Sequence, residues 1–180
     1  YLDAWSLVPP SPGSAAFNQP YALLFLAEHG QVETSERLVA SIAMMQQDDG
    51  NWTVYQSDRP ASFNTALNVL ALARARNLGL EIPEEVLQFG ARALDEMRTR
   101  RGYFPYSTKP GHEWMTTAHV SIARDALCEY ALWVAGENNQ SAIDTALDRF
   151  VKFADELRAP TKRLYDYFNS RGHGGYYYFF

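Results

Sequence analysis

Apolar residues recur along this chain three or four positions apart, the spacing that places them on one face of a helix. This pattern predicts six helices, and 161–169 can hold one more short helix. The predicted helices cover about 17–28, 34–50, 62–78, 83–99, 116–135 and 141–159. No stretch alternates apolar and polar residues convincingly, so the sequence predicts an all-α fold.

Prolines and capping residues set the predicted helix ends. Residues 1–16 are expected to form an irregular lead-in, because prolines there block both a helix and a central strand. Pro20 then falls in the first turn of the first helix, where its missing N–H is tolerated. Ser62 is the expected N-cap of the third helix, and Ser141-x-x-Asp144 resembles a capping box that opens the sixth.

Two kinds of helix alternate along the chain. The first, third and fifth helices are apolar nearly all round, which is typical of helices buried on most sides. The second, fourth and sixth helices carry one apolar stripe and one charged face, which is typical of helices that touch water. The alternation predicts inner and outer helix layers joined as αα-hairpins, as in helical repeat proteins.

A glycine turn followed by aromatic residues comes after each outer helix. The three turns lie in 47–52, 101–106 and 174–176. Glycine suits this place because the chain leaves a helix end through positive φ. The aromatic residue that follows is expected to be buried between the two layers. Three unrelated helix ends are the alternative interpretation of this pattern.

The first of these turns resembles a known family motif. Gln47-x-x-Gly50-x-Trp52 is similar to the QW motif of squalene–hopene cyclases, and Gly102-Tyr103-Phe104 and Gly174-Gly175-Tyr176 look like weaker copies. The segment 65–79 is similar to inner helices of the prenyltransferase and squalene-oxidase repeat. The resemblance implies an α/α toroid, which often has six hairpins. About three hairpins fit here, so 17–180 is interpreted as one repeat domain and as a candidate piece of a longer protein.

The catalytic motifs of that family do not match this chain. Squalene–hopene cyclases use Asp-x-Asp-Asp, which does not occur here, and Asp48-Asp49 runs into the glycine turn instead of forming DDxxD. The zinc-binding Asp-x-Cys pair of prenyltransferases is replaced by Asp125-x-x-Cys128, and Cys128-Glu129-Tyr130 is not a thioester motif. We therefore expect no inherited catalytic activity, no cofactor and no metal site, and we expect Cys128 to be a small buried hydrophobe.

Composition narrows the classes of partner. The net charge of −5 over 180 residues argues against nucleic acid, which needs a basic face. No apolar run approaches the length of a membrane span. The remaining candidate partners are a small molecule or a peptide. Self-association through the five aromatic residues of 176–180 is a further expectation, because exposed rings need a cover.

The fifth helix carries the candidate catalytic residues. Asp125 and Glu129 lie four residues apart on one face, where two carboxylates can bind a cation or do acid–base work. His119 lies earlier on the same helix. The alternative interpretation is a polar cluster in which Arg124 and a neighbouring helix neutralise the two carboxylates.

Asparagines and turn aromatics are the candidate ligand-binding residues. Phe17-Asn18 and Phe63-Asn64 open two inner helices alike, so both amides are candidates to line a cavity mouth, with helix capping as the alternative. The turn aromatics can line a pocket for an apolar or sugar-like ligand, with packing as the alternative; they are Tyr55, Tyr103, Tyr106 and Trp114. The sequence favours a non-catalytic binding domain. The alternatives are a toroid enzyme, a lyase or hydrolase acting on a polymer, and a purely structural repeat.

Overall fold

The computed structural model describes residues 12–53, 60–107, 118–137 and 139–152, and gives only the backbone for 12–16 and 118–123. Six α-helices lie in these residues and no β-strand does, which confirms the all-α prediction. They are α1 Pro12–Glu28, α2 Val32–Met44, α3 Ser62–Asn77, α4 Glu84–Glu96, α5 Ala118–Ala135 and α6 Gln140–Lys152. In this part of the chain, none of the helices is long and apolar enough to cross a membrane.

The helices pack in an alternating order. The three odd-numbered helices, here called the inner helices, form a row in which α3 contacts both α1 and α5. The even-numbered outer helices pack against this row: α2 on α1, α4 on α3 and α5, and α6 on α5. This order agrees with the predicted alternation of inner and outer helices.

Burial follows the position of a helix in the row. Nearly every residue of α3 is buried, because helices flank it on both sides and behind. In contrast, α1 exposes Tyr21 and Phe25, 37% and 55% exposed, although the sequence predicted burial on most sides. The difference arises because, among the described helices, α1 has an inner neighbour on one side only.

The inner helices end alike. Each ends in a glycine with positive φ, and in each the N–H after that glycine donates to the carbonyl five residues earlier at 3.0 Å. The glycines are Gly30, Gly79 and Gly136. This bond pattern is the Schellman motif, which satisfies carbonyls that the end of a helix leaves open.

The start of α1 corrects the sequence prediction. The helix begins at Pro12, so 12–16 are helical and Pro20 lies in the helix interior instead of its first turn. Pro12 is compatible with a helix start because the first N–H groups have no partner within the helix. The lead-in prediction treated every early proline as a helix breaker and therefore placed the start too late.

Two predicted caps are also wrong. Ser62 is the first residue of α3 rather than its N-cap, and its hydroxyl donates to the Pro105 carbonyl at 2.6 Å. At α6 the side chain of Asn139 accepts the Ala142 N–H at 3.1 Å, so Asn139 caps this helix and Ser141 lies inside it. A serine near a helix start is a good cap only when tertiary contacts leave its hydroxyl available.

Candidate functional site

The first two glycine turns have the same hydrogen bonds. In each turn one main-chain N–H donates to the carbonyl four residues later, and the glycine N–H donates to the carbonyl three residues earlier. All four N–O distances are 2.9 Å. The pairs are Gln47 with Asn51 and Gly50 with Gln47 in the first turn, and Thr99 with Tyr103 and Gly102 with Thr99 in the second. Gly50 and Gly102 have φ of +83° and +72°, a conformation that strains other residues. The third turn, with Gly174, Gly175 and Tyr176, lies outside the described residues.

Each turn is attached to the inner helix that follows it. The Trp52 N–H donates to Thr65 Oγ1 on α3 at 3.2 Å. The Phe104 N–H likewise donates to Asp125 Oδ1 on α5 at 2.8 Å. Both aromatic side chains are 0% exposed, as the sequence predicted, whereas Tyr103 is half-buried. The two turns are therefore repeats in geometry as well as in sequence.

The Trp52 ring lies between three helices. Its indole Nε1 donates to the Ile42 carbonyl of α2 at 2.9 Å, while its main chain is held by α3. On α4, a Cβ added to Gly90 would lie 2.6 Å from the ring, so the absent side chain is what admits it. Sequence reasoning missed Gly90, and the signal was a glycine in the middle of an amphipathic helix.

Long polar side chains close the turns from the outer layer. Gln46 Nε2 donates to the carbonyls of Gly50 and Val86, whereas the exposed Gln47 bonds only locally to Met45. Arg149 of α6 donates to the Gly102 carbonyl at 2.9 Å and lies 4.5 Å from the Tyr103 ring centre. The candidate ligand residue Tyr103 is thus covered by an arginine of the outer layer.

Asp125 and Glu129 are both buried and bind different partners. The Asp125 carboxylate accepts the Phe104 N–H, and its neighbour Arg124 donates through Nε to the Phe104 carbonyl at 2.9 Å, so α5 binds both main-chain polar groups of Phe104. Glu129 accepts two bonds from Arg98, at 2.9 and 2.7 Å. These contacts match the polar-cluster interpretation. Sequence reasoning missed Arg98, which lies two residues beyond the end of α4.

Cys128 lies inside this cluster as a buried thiol. It is 0% exposed, with Sγ 3.8 Å from the Ser62 carbonyl oxygen. Burial raises the pKa of the Cys128 thiol well above its usual range, and the charge of Asp125 raises it further. The side chain of His119 lies outside the described residues. Within the described part of the chain, no group of three His, Cys, Asp or Glu residues is placed to hold a metal ion.

The two candidate asparagines lie in different surroundings. Asn18 is exposed on α1, in the helix interior. Asn64 is fully buried in the first turn of α3, where its Nδ2 donates to the Thr53 carbonyl at 3.2 Å. Neither residue caps its helix, so the capping alternative is wrong. Their matching places in sequence do not give matching environments, because α3 has a neighbour where α1 has solvent.

Four aromatic rings form a connected surface that runs from α1 to the second glycine turn. Ring centres lie 5.6 Å apart for Tyr21 and Phe17, 6.2 Å for Phe17 and Phe63, and 5.3 Å for Phe63 and Tyr106. We call these four residues the aromatic surface. Phe63 is buried, Phe17 and Tyr106 are half-buried and Tyr21 is exposed.

The aromatic surface contains one candidate ligand residue, and another lies on α1, the helix that carries two of its members. Tyr106 belongs to it, and Asn18 lies on α1 between Phe17 and Tyr21. Tyr21 is 37% exposed, and the burial of the rest of its side chain raises the pKa of its hydroxyl to about 12. The other two candidates, Tyr55 and Trp114, lie outside the described residues.

Comparisons with known proteins do not assign this chain to a family. No family model matches the chain, and no curated protein matches it in sequence.

Proposed function

We propose that this chain is a non-catalytic binding domain that holds an apolar ligand on its aromatic surface. The observation that carries the proposal is the series of ring contacts from Tyr21 to Tyr106, which joins an exposed ring of α1 to the second glycine turn. Aromatic rings in contact provide a rigid apolar area at low cost in conformational entropy. Asn18, exposed on α1 three residues before Tyr21, supplies a polar group that can orient a ligand.

The contacts of the candidate acids support binding over catalysis. The Glu129 carboxylate is paired on both oxygens with Arg98, and its side chain is 5% exposed. Asp125 is 0% exposed and accepts a main-chain N–H. A general acid or base must reach the substrate, directly or through one water. The alternative of a polymer-acting lyase or hydrolase that uses Asp125, Glu129 and His119 gains no support from these contacts.

The alternating helix order supports an arrangement of the α/α-toroid type. Inner helices that contact one another, each backed by an outer helix, are what the resemblance to the prenyltransferase and squalene-oxidase repeat implies. The repeated attachment of a glycine turn to the next inner helix supports the same proposal. In this arrangement Phe17, Tyr21 and Phe63 of the aromatic surface belong to the inner row of helices, and Tyr106 belongs to the second glycine turn.

Titration calorimetry with farnesol, an extended apolar alcohol, tests the proposed function. We expect saturable binding that Tyr21→Ala weakens roughly tenfold, since losing about 60 Å² of ring contact costs about 1.5 kcal/mol. Tyr130→Ala is the matched control, because Tyr130 is 39% exposed on α5 and its ring stacks on Trp133 instead. We expect this control to change the affinity by less than about twofold.

Two outcomes would contradict the proposal. One is the absence of saturable farnesol binding, and the other is equal weakening by Tyr21→Ala and Tyr130→Ala. A parallel titration with cellotetraose separates ligand classes, because sugars also stack on aromatic rings. Tighter binding of cellotetraose than of farnesol would refute the apolar assignment.

A further inference from the structure

Aromatic rings continue along α1 beyond the aromatic surface. Phe25 lies four residues after Tyr21, hence on the same side of the helix, and it is 55% exposed. The His29 ring stacks on the Phe25 ring, with 4.1 Å between the ring centres and 27° between the planes. We call Phe25 and His29 the α1 extension. From Phe17 to His29 the row of rings spans twelve residue steps, about 18 Å along the helix axis.

One hydrogen bond fixes the orientation and the tautomer of the His29 ring. Its Nδ1 lies 2.7 Å from the carbonyl oxygen of Phe25. A carbonyl oxygen only accepts hydrogen bonds, so the hydrogen of this bond belongs to Nδ1. In a neutral imidazole the other nitrogen, Nε2, then carries a lone pair and is a hydrogen-bond acceptor. Because His29 is exposed, the α1 extension ends in a fixed acceptor that is open to a ligand.

The charges around His29 favour a neutral ligand group at this end. Glu28 and Glu33 flank His29 in the sequence, and both carboxylates are paired with arginines. Glu28 pairs with Arg74 at 3.2 Å, and Glu33 pairs with Arg37. An arginine that already pairs with a carboxylate offers little attraction to an anionic ligand, whereas a nearby carboxylate repels one. A hydroxyl, which is uncharged and carries a hydrogen to donate, therefore fits this place better than a carboxylate does.

We infer that the aromatic surface and the α1 extension bind an extended apolar alcohol, whose hydroxyl donates a hydrogen bond to Nε2 of His29. This inference rests on the proposed function, and it adds the polar group of the ligand and the direction in which the ligand lies. The apolar chain covers Phe25 and Tyr21, and removing their exposed ring area from water favours binding. The Asn18 amide has donors as well as an acceptor and pairs with a hydroxyl or an ether alike, whereas Nε2 pairs only with a donor.

Titration calorimetry with farnesol and farnesyl methyl ether tests the inference at about pH 8, where an ordinary imidazole is uncharged. The ether has the same apolar chain but no O–H to donate. One hydrogen bond of ordinary strength changes an affinity about fivefold, so the natural chain should prefer farnesol by about that factor. His29→Phe keeps a ring that can stack on Phe25 and removes the acceptor, so it should bind the two ligands equally. Asn18→Leu is the matched control and should keep the preference.

Four outcomes would overturn the inference. Equal binding of farnesol and the ether by the natural chain is one, and the proposed function would still stand if Tyr21→Ala weakened both. Equal weakening of both ligands by His29→Phe is the second, because His29 would then act only through the end of α1. The third is a preference lost in Asn18→Leu and kept in His29→Phe, which would reverse the direction of the ligand. The fourth is tighter binding of farnesoic acid than of farnesol. If farnesol does not bind at all, the proposed function and this inference fail together.

Discussion

Replacing Trp52 by alanine tests whether the first glycine turn stabilises the fold. The ring is 0% exposed and contacts α4 at Gly90, so its removal leaves a cavity that the neighbouring helices fill only in part. Changes of this kind cost about 3–5 kcal/mol. The Ile42 carbonyl also loses its indole donor, which adds about 1 kcal/mol. We therefore expect the free energy of unfolding to fall by about 4–6 kcal/mol.

Equilibrium urea denaturation followed by circular dichroism measures this loss. Trp133→Ala is the matched control, because Trp133 is 41% exposed on α5 and should cost about 2 kcal/mol, less than the loss expected for Trp52→Ala. Trp52→Phe keeps a buried ring but removes the indole donor, so it should cost about 1–2 kcal/mol. Because domains are usually stable by about 5–15 kcal/mol, a Trp52→Ala chain that is partly unfolded without urea also agrees with the prediction.

A loss below about 1 kcal/mol for Trp52→Ala would refute the reasoning. So would equal losses for Trp52→Ala and Trp133→Ala, since the contrast in burial would then have no energetic meaning. An unchanged stability in Trp52→Phe would contradict the role given to the indole donor, because the smaller ring also leaves part of the site unfilled and can only add to the loss.

Two further predictions concern buried groups. Gly90→Ala should lower the midpoint of urea unfolding, because the added Cβ would lie 2.6 Å from the Trp52 ring. In a Trp52→Ala background the same change should raise the midpoint, because helix propensity favours alanine over glycine by about 1 kcal/mol. Burial raises the pKa of Cys128 in the folded chain, so the thiol stabilises the fold below its unfolded pKa of about 8.5 and this contribution falls as pH rises further. The stability of the natural chain relative to Cys128→Ala should thus be about 1.4 kcal/mol lower at about pH 9.5 than at about pH 7.5, measured by urea denaturation. The prediction would be contradicted if the stability did not decline over this pH range. It would also be contradicted if iodoacetamide labelled the folded thiol promptly.

The helices and the turns were predictable because their causes are local. Apolar spacing and glycine at the helix ends act over a few residues, so the six helices, the positive φ of Gly50 and the burial of Trp52 follow from short stretches of sequence. The predicted start of α1 was wrong because proline is compatible with a first helical turn as well as with an irregular segment. In that case the local signal had two interpretations, and packing selects between them.

The contacts across helices were not predictable, since they depend on which residues the packing brings together. Arg98 reaches Glu129 across 31 positions, and Gln46 reaches Val86 across 40. Their neighbours in sequence, Arg100 and Gln47, were equally plausible partners before the helices were placed. The candidate acids on α5 were therefore identifiable as a cluster, while the arginine that pairs with Glu129 was not.

The attachment of each glycine turn to the next inner helix has a consequence for how the chain can be divided. In the turn that ends one hairpin, the main-chain N–H of the buried aromatic residue donates to an acceptor in the following hairpin, as that of Phe104 does to Asp125. If a hairpin were separated from the hairpin that follows it, the N–H of its aromatic residue would lose its acceptor. The ring of that residue would also become more exposed. The hairpins consequently behave as mutually dependent units, so their melting should be cooperative and expression boundaries should keep each aromatic turn together with the helix that follows it.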